Sequence, residues 1–400
     1  MLAFCFAGWF LLTHYSTVAV MLDRLKLAAS LEELSEKLFP DVAKVLEGAV
    51  AVYRRIAVDP TFVDRASNAE SSFLVPSWVG GLCDTFFYVP ARHYSVLAVD
   101  GSQVYPDRHI AGAGCFLLNI GGARFTYSAQ SSVSLFSEPE VCPFTDFSAS
   151  NETLSAETVD LLRESRELAQ AVEQAKHMTE AESVVLIDGT IIFWMLEGKT
   201  ADVRTRFMGE YMTHLNALYE QKVVCAGYIS MPKSREVMSL VKLGLCRFSV
   251  ANCIPCHAVY DTFPCKVVDS LLDTHLMGQL LEPGQRSTLF ATASHIAAEY
   301  PPHLKPWFCY LHAGTEIVRL EMPAWVAQDE SLVARLCRVA LDQAEKGGGY
   351  PVVLAEAHEQ AVVKAVDREF FYQLITKIGM QRNRRVHSSL KSMTKRSMRF

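Results

Sequence analysis

The sequence predicts an α/β fold in which a mixed sheet is flanked by helices and preceded by an N-terminal helical arm. Three observations carry this expectation. Two apolar runs, Tyr94-Ser95-Val96-Leu97-Ala98-Val99 and Ser183-Val184-Val185-Leu186-Ile187, read as buried strands, and each ends in Asp-Gly. After residue 183, strand-like and helix-like segments alternate, as in α/β folds. From Leu22 to Val52 apolar residues recur at three and four, as in Leu27, Leu31, Leu34 and Leu38, which is helical spacing.

Half of the 400 residues are hydrophobic and a fifth are charged, which excludes disordered, collagen-like and small disulfide-stapled chains. The net charge of −6 hides an asymmetry. Residues 381–400 carry seven Lys or Arg and no acid, so the first 380 hold 31 basic against 44 acidic residues. Bulk charge therefore does not point to nucleic acid. The eleven cysteines are odd in number, scattered and mostly set in apolar runs such as Phe4-Cys5-Phe6, which reads as reduced thiols in a cytoplasmic protein. Met1 to Leu22 is apolar but has no basic residue before its apolar stretch, unlike a secretory signal. The preferred reading makes residues 1–20 an upstream mis-start or disordered segment, with translation beginning at Met21; a membrane anchor is the alternative. No stable membrane association is expected elsewhere.

In chain order, Tyr94 to Asp100 is a buried strand ending in a turn. Ala113 to Ile120 and Arg124 to Gln130 are two strands around a Gly121-Gly122 hairpin. Ser131 to Ser150 is a polar connection, and Ser155 to Met178, rich in Glu, Leu, Ala and Gln, is a helix. Strand Ser183 to Asp188, helix Asp202 to Gln221, strand Val223 to Ile229 and helix Ser234 to Leu243 follow. Cys246 to Cys265 interrupts the alternation. Helix Val267 to Leu281, the turn Glu282-Pro283-Gly284, strands around Trp307 to His312 and Glu316 to Glu321, and helices Ser331 to Glu345 and Ala355 to Ile378 complete the chain. With no repeat or long linker, one elaborated α/β domain is preferred to two.

Carboxylates at one edge of a sheet make a hard-oxygen site for Mg²⁺ or Mn²⁺, because these ions need ionised oxygens on rigid elements. Asp100 and Asp188 are placed for that. Phosphodiester hydrolysis uses such a cluster to activate water and to stabilise the transition state and leaving oxygen. Asp-Gly is also ordinary turn chemistry, which for either dipeptide alone is the better explanation; their pairing after buried strands weakens it. Three antiparallel strands with Asp on the first, a Glu-bearing helix, then a strand ending in Asp resemble the ribonuclease H-like (PIWI-like) arrangement of metal-dependent nucleases, by fold analogy.

Several ordered segments resemble the NurA family of DNA-end-processing nucleases, across nearly the whole chain from the helical arm onward. They are Ala98-Val99-Asp100-Gly101-Ser102-Gln103, Pro106-Asp107-Arg108-His109, Leu186-Ile187-Asp188-Gly189-Thr190 and Gly227-Tyr228-Ile229-Ser230-Met231-Pro232-Lys233-Ser234. Further on come Glu282-Pro283-Gly284-Gln285-Arg286-Ser287, Arg319-Leu320-Glu321-Met322-Pro323, and Gly349-Tyr350-Pro351 leading to Glu356-Ala357-His358. The resemblance implies a Mn²⁺-dependent nuclease, with Mg²⁺ as the alternative, acting as a homodimer on DNA ends beside a HerA-type hexameric ATPase. It implies 5'-to-3' exonuclease and/or single-strand endonuclease activity in repair or defence; a non-catalytic DNA-binding or scaffolding relative is the alternative. It organises the chain as a helical arm and connection over 21–93, a nuclease domain over 94–380 with a Cys-rich insertion at 246–265, and a basic tail over 381–400.

Carried over by residue, the metal ligands are Asp100, a helix Glu, Asp188 and His358, with Tyr310 completing the catalytic set. Glu167 is favoured for the helix position, and Glu164, one turn away, stays open. A lone helical His is more often structural; His358, read as lying near a helix N-terminus, is expected to be neutral and ready for metal or proton. Lys233, Ser234 and Arg235 at a helix start suit DNA phosphate, and Arg286 after a Pro-Gly turn is a further contact; each is otherwise a solvated surface residue. The tail cations Arg382, Arg384, Arg385, Lys391, Lys395, Arg396 and Arg399 suit DNA backbone, a partner, or solvent.

Other signals are set aside. Cys253-Ile254-Pro255-Cys256-His257 matches covalent haem attachment, which needs export. Zinc held by Cys246, Cys253, Cys256, His257 or Cys265 is more plausible, yet loses to scattered thiols. Asp188-Gly189-Thr190 resembles an aspartyl phosphatase turn but has Leu186 where the nucleophile belongs. Gly347-Gly348-Gly349 follows a helix and lacks a P-loop ending, so it reads as a cap and hinge.

Overall fold

The computed structural model describes residues 22–39, 41–105, 110–111, 114–145, 155–178, 180–247, 251–253, 256, 263–383 and 387–388. The expected mis-start at 1–20 and most of the basic tail lie outside the described residues. The chain divides into two compact units, 1–44 and 45–400. The first holds α1 (Arg24–Glu33), whose N-cap Asp23 accepts from Lys26 N at 3.1 Å, and α2 (Ser35–Leu38). At its end begins α3 (Ala43–Ala57), so the arm read as one helical run is three helices.

The second unit adds α4 (Phe62–Ser67), β1 (Ser77–Val79), β2 (Phe86–Phe87), β3 (Tyr94–Val104), β4 (Ile110–Ala111), β5 (Cys115–Tyr127), β6 (Ser132–Pro143), α5 (Ala156–Ala175) and β7 (Ser183–Asp188). It continues with α6 (Ala201–Glu220), β8 (Val224–Ile229), α7 (Glu236–Leu245), α8 (Asp273–Met277), β9 (Gln285–Arg286), β10 (Leu289–Ala291), β11 (Pro306–His312) and β12 (Ile317–Pro323). Helices α9 (Ala324–Ala327), α10 (Glu330–Lys346), α11 (Val352–Ala361) and α12 (Ala365–Gln381) and strand β13 (His387–Ser388) close it. Among the described residues, no helix is long and apolar enough to cross a membrane.

The main sheet has eleven strands in the order β1-β10-β11-β12-β8-β7-β3-β5-β6, with β9 and β2 attached beside β11. Strands β3, β5 and β6 form an antiparallel meander, while β3, β7 and β8 run parallel. Alternation along the central strands buries both faces, as a sheet covered on both sides requires. Val96, Ala98, Val184, Leu186 and Ala226 join a core with residues of α10 and α11, and Leu97, Val99, Val185 and Cys225 join a core with residues of α5 and α6. By the same alternation, Asp100 falls on the α11 side and Gly101 on the α5 side.

The structure corrects several sequence expectations. Asp100 does not end its strand: β3 runs on to Val104, paired throughout with β5. Gly121-Gly122 is no hairpin but the middle of one long strand, β5. A Cβ at Gly121 would lie 2.6 Å from Ala361 Cα, so the glycine lets the end of α11 settle onto the sheet. Asn119 Nδ2 and Ser102 Oγ then donate to the Ala361 carbonyl at 2.8 and 2.5 Å, satisfying a helix end. Gly121→Val should cost about 3 kcal/mol, at the upper end of ordinary overpacking because rigid backbone is struck; a urea unfolding midpoint measures it, and a loss below about 0.5 kcal/mol would contradict this packing.

The third meander strand is β6, in the segment expected to be a polar connection. The expected helix Val267 to Leu281 is a short 3-10 turn, Pro264–Val268, followed by α8. The expected helix Ala355 to Ile378 is two helices, α11 and α12.

Candidate active site

The parallel ladder between β3 and β7 ends at Val99↔Ile187, and the next residues are Asp100 and Asp188. Here a cleft of about 220 Å³ opens, lined by Asp100 from within β3, by Asp188, Gly189 and Thr190 from the end of β7 and the turn after it, and by Arg163, Glu164 and Glu167 from α5. A crevice at the carboxyl ends of parallel strands is where open α/β sheets place their ligands.

Each side chain is held for a local reason. Asp100 Oδ1 accepts its neighbour's Gly101 N at 2.8 Å, and Oδ2 meets His358 Nδ1 at 2.8 Å. Gly101 keeps the α5 face bare: a Cβ there would stand 2.5 Å from Glu167 Oε1, so Glu167 reaches the strand only because residue 101 has no side chain. Glu167 is ion-paired with Arg163, four residues earlier on α5. After Asp188 the chain turns at Gly189, whose φ of 100° suits glycine. Gly227 on β8 admits that turn, since a Cβ there would run into the Gly189 carbonyl. Glu321 on β12 pins it, accepting from Thr190 Oγ1 at 2.6 Å and from Ile191 N at 3.1 Å.

The electrostatics are those of crowded carboxylates. Burial raises the Glu167 carboxyl to about 8, opposed by Arg163 and reinforced by Asp100 and Glu164. Burial also raises Asp188, with the Tyr350 hydroxyl and His358 pulling it down and Asp100 pushing it up. Glu164 is raised by burial, against Arg163.

A family model for the NurA domain matches residues 94–363. The chain belongs to the NurA family. Among solved structures, the NurA nuclease from Sulfolobus solfataricus aligns at TM-score 0.51 and 15% identity, over 90% of this chain and 98% of that one. A NurA structure bound to dAMP and manganese aligns at TM-score 0.38 and 12% identity, over 87% of this chain and 97% of that one. Among curated protein sequences none matches significantly.

Of the residues that the NurA resemblance singles out, Asp100, Glu167 and Asp188 line one cleft, and His358 joins them through Asp100. His358, however, stands in the last turn of α11, so the helix-start argument for a neutral imidazole does not apply to it. Tyr310 is elsewhere: fully buried on β11, it donates to Asp273 Oδ2 at 2.7 Å. Tyr211 lines the cleft, and Tyr350 lies near enough to Asp188 for its hydroxyl to pull that carboxyl down. Tyr350 is carried there by the turn after α10, where Gly348 and Gly349 take φ of 71° and 125°. Its motif, Gly349-Tyr350-Pro351, was visible in the sequence, but nothing local aims it at Asp188.

The expected DNA contacts are also redistributed. Arg286 is 1% exposed, paired with Glu330 at 2.6 Å and stacked 3.9 Å from the Phe86 ring centroid, so its charge is spent inside the fold. The backbone N–H groups of Val237 and Met238, at the start of α7, are capped by Asp273 at 3.1 and 2.7 Å and not left for phosphate. Ser234 Oγ accepts from Arg319 at 2.8 Å. Lys233 and Arg235 remain exposed cations. Of the tail cations only Arg382 lies among the described residues.

Three carboxylates and an imidazole are a hard, mostly oxygen donor set that suits Mn²⁺ or Mg²⁺ in chemical kind. Among the described residues, no group of three or more His, Cys, Asp or Glu side chains is already arranged to hold a metal ion. Glu167 is engaged by Arg163 and Asp100 by His358, so these donors surround the cleft with other partners in hand.

Proposed function

We propose that this chain is a metal-dependent deoxyribonuclease with a ribonuclease H-like sheet, cutting DNA at or near ends in repair or defence. The observation that carries the reading is the meeting of Asp100, Asp188 and Glu167 in one cleft, at the end of the β3–β7 ladder of a NurA-family chain. The strand order β6-β5-β3-β7-β8, with an antiparallel meander joined to two parallel strands, supports the fold name.

In this reading Asp100, Glu167, Asp188 and His358 hold Mn²⁺, with Mg²⁺ as the alternative. The bound ion supplies Lewis-acid polarisation of the phosphodiester and offsets the clustered negative charge. The protein supplies the rest. Tyr350 lies beside Asp188, Gly101 lets Glu167 approach, and His358 steadies Asp100 through Nδ1. Exposed Lys233 and Arg235 steer the backbone by charge alone, so affinity should fall with salt. Exonuclease polarity from 5' to 3', single-strand endonuclease activity, a homodimer and a HerA-type hexameric ATPase partner belong to the same proposal.

The test is cleavage of end-labelled linear single- and double-stranded DNA with Mn²⁺, Mg²⁺ or chelator. Metal-dependent shortening of the label is expected. No cleavage with either metal, repeated with a cognate ATPase, would favour a non-catalytic DNA-binding relative.

A further inference from the structure

The cleft is short of positive charge. Among its described lining residues are four carboxylates, those of Asp100, Glu164, Glu167 and Asp188, and one cation, Arg163. Arg163 is committed to Glu167, and its Nη1 also lies 3.5 Å from the Gly101 carbonyl. The slot that admits this pair exists because residue 101 is glycine: a Cβ there would stand 2.8 Å from Arg163 Cγ. The Arg163 side chain is 21% exposed, so it is neither sealed in the core nor loose on the surface.

We propose that Arg163 is the resident counter-ion of the cleft. It holds Glu167 while no divalent ion is bound, yields that carboxylate to the ion, and then presents its guanidinium to the phosphate of the bound strand. The inference rests on the nuclease reading above. Three physical arguments carry it. A guanidinium and a divalent cation repel each other and want the same Glu167 oxygen, so they exclude one another there. The Arg163–Glu167 pair is largely buried, with side chains 21% and 16% exposed, so Glu167 can release Arg163 only to another positive charge, and a divalent ion keeps that carboxylate paired as the guanidinium leaves. Arginine does not lose its proton to escape; it must swing, and its planar fork matches the oxygens of a phosphate.

The experiment compares the full chain with Arg163→Gln and Arg163→Lys in three measurements: Mn²⁺ binding without DNA, followed by the paramagnetic signal of free Mn²⁺; thermal unfolding without metal; and kcat and KM for DNA cleavage at saturating Mn²⁺. Both substitutions sit on a partly exposed helix face and should leave the chain folded, which circular dichroism checks. Arg163→Gln is expected to bind Mn²⁺ about tenfold more tightly, because a competing charge is gone. It should unfold at a lower temperature without metal and lose about 10²-fold in kcat, the cost of one charge-stabilising donor. Arg163→Lys should return Mn²⁺ affinity to near the original while recovering only part of kcat, since it keeps the charge but not the fork. Weaker or unchanged Mn²⁺ binding in Arg163→Gln, or unchanged kcat, overturns the proposal alone. If the unsubstituted chain neither binds Mn²⁺ nor cleaves DNA, the nuclease reading falls and takes the proposal with it.

Discussion

Asp188→Asn should lower metal-dependent cleavage by about 10³-fold while leaving the protein folded, a loss at the upper end for one charged group acting on the transition state. Asn keeps the size of the side chain and an oxygen that can still accept from Tyr350, so packing is preserved. What disappears is the negative charge at the end of β7, where it would help to hold a divalent ion. Stability should not fall. Burial and the Asp100 charge both raise the Asp188 carboxyl, so the ionised group is a local burden on the native state, and neutralising it should leave the urea midpoint unchanged or slightly higher. Single-turnover cleavage at saturating Mn²⁺, with urea unfolding in parallel, tests both halves. Activity within tenfold of the original would remove Asp188 from the site, and a large drop in stability would mean that its role is structural.

How far the site could be read from the sequence depended on how local each signal is. Asp100 and Asp188 are legible because each follows an apolar run of five or six residues within its strand. The sequence favours Glu167 and leaves Glu164 open, and both line the cleft; the bare strand at Gly101 receives Glu167, a contact that joins residues far apart in the chain. Tyr350 and Tyr310 differ for the same reason. A hydroxyl finds Asp188 or Asp273 through the packing of whole elements, which no local pattern records. Gly121-Gly122 misled because glycine serves two purposes: it permits tight turns, and it permits a helix to lie against a strand. Strand β6 was missed because it is an edge strand, with Val133, Leu135 and Val141 exposed among polar residues, and its order comes from pairing with β5. Arg286 reads as a DNA contact in the sequence because burial of a charge requires a partner, and Glu330 is distant in sequence.

Glu321→Leu should destabilise the protein by about 3–5 kcal/mol, the cost of breaking a buried ion pair from one side. Glu321 is 2% exposed and fully used: Oε1 accepts from Arg319 Nε at 2.8 Å, and Oε2 accepts from Thr190 Oγ1 and Ile191 N. Arg319, itself 2% exposed, also donates to Glu236 Oε1 and Ser234 Oγ, each at 2.8 Å, and lies 3.6 Å from the Phe308 ring centroid. Leucine would leave a buried guanidinium with one carboxylate and a buried backbone N–H without its acceptor. Glu321→Gln keeps an oxygen for the turn and loses only the charge, so about 2 kcal/mol is expected. Converting Arg319 to Met in the Glu321→Leu background should recover part of the loss, but not all, because Glu236 then keeps its Thr292 hydrogen bond but loses its counter-charge. Urea unfolding of the three variants decides the matter. A loss under about 1 kcal/mol for Glu321→Leu would show that water replaces the missing contacts. Cleavage should fall as well in Glu321→Leu, because Thr190 and Ile191 hold the turn that follows Asp188, and a catalytic group displaced by about 1 Å can cost about 10²-fold in rate.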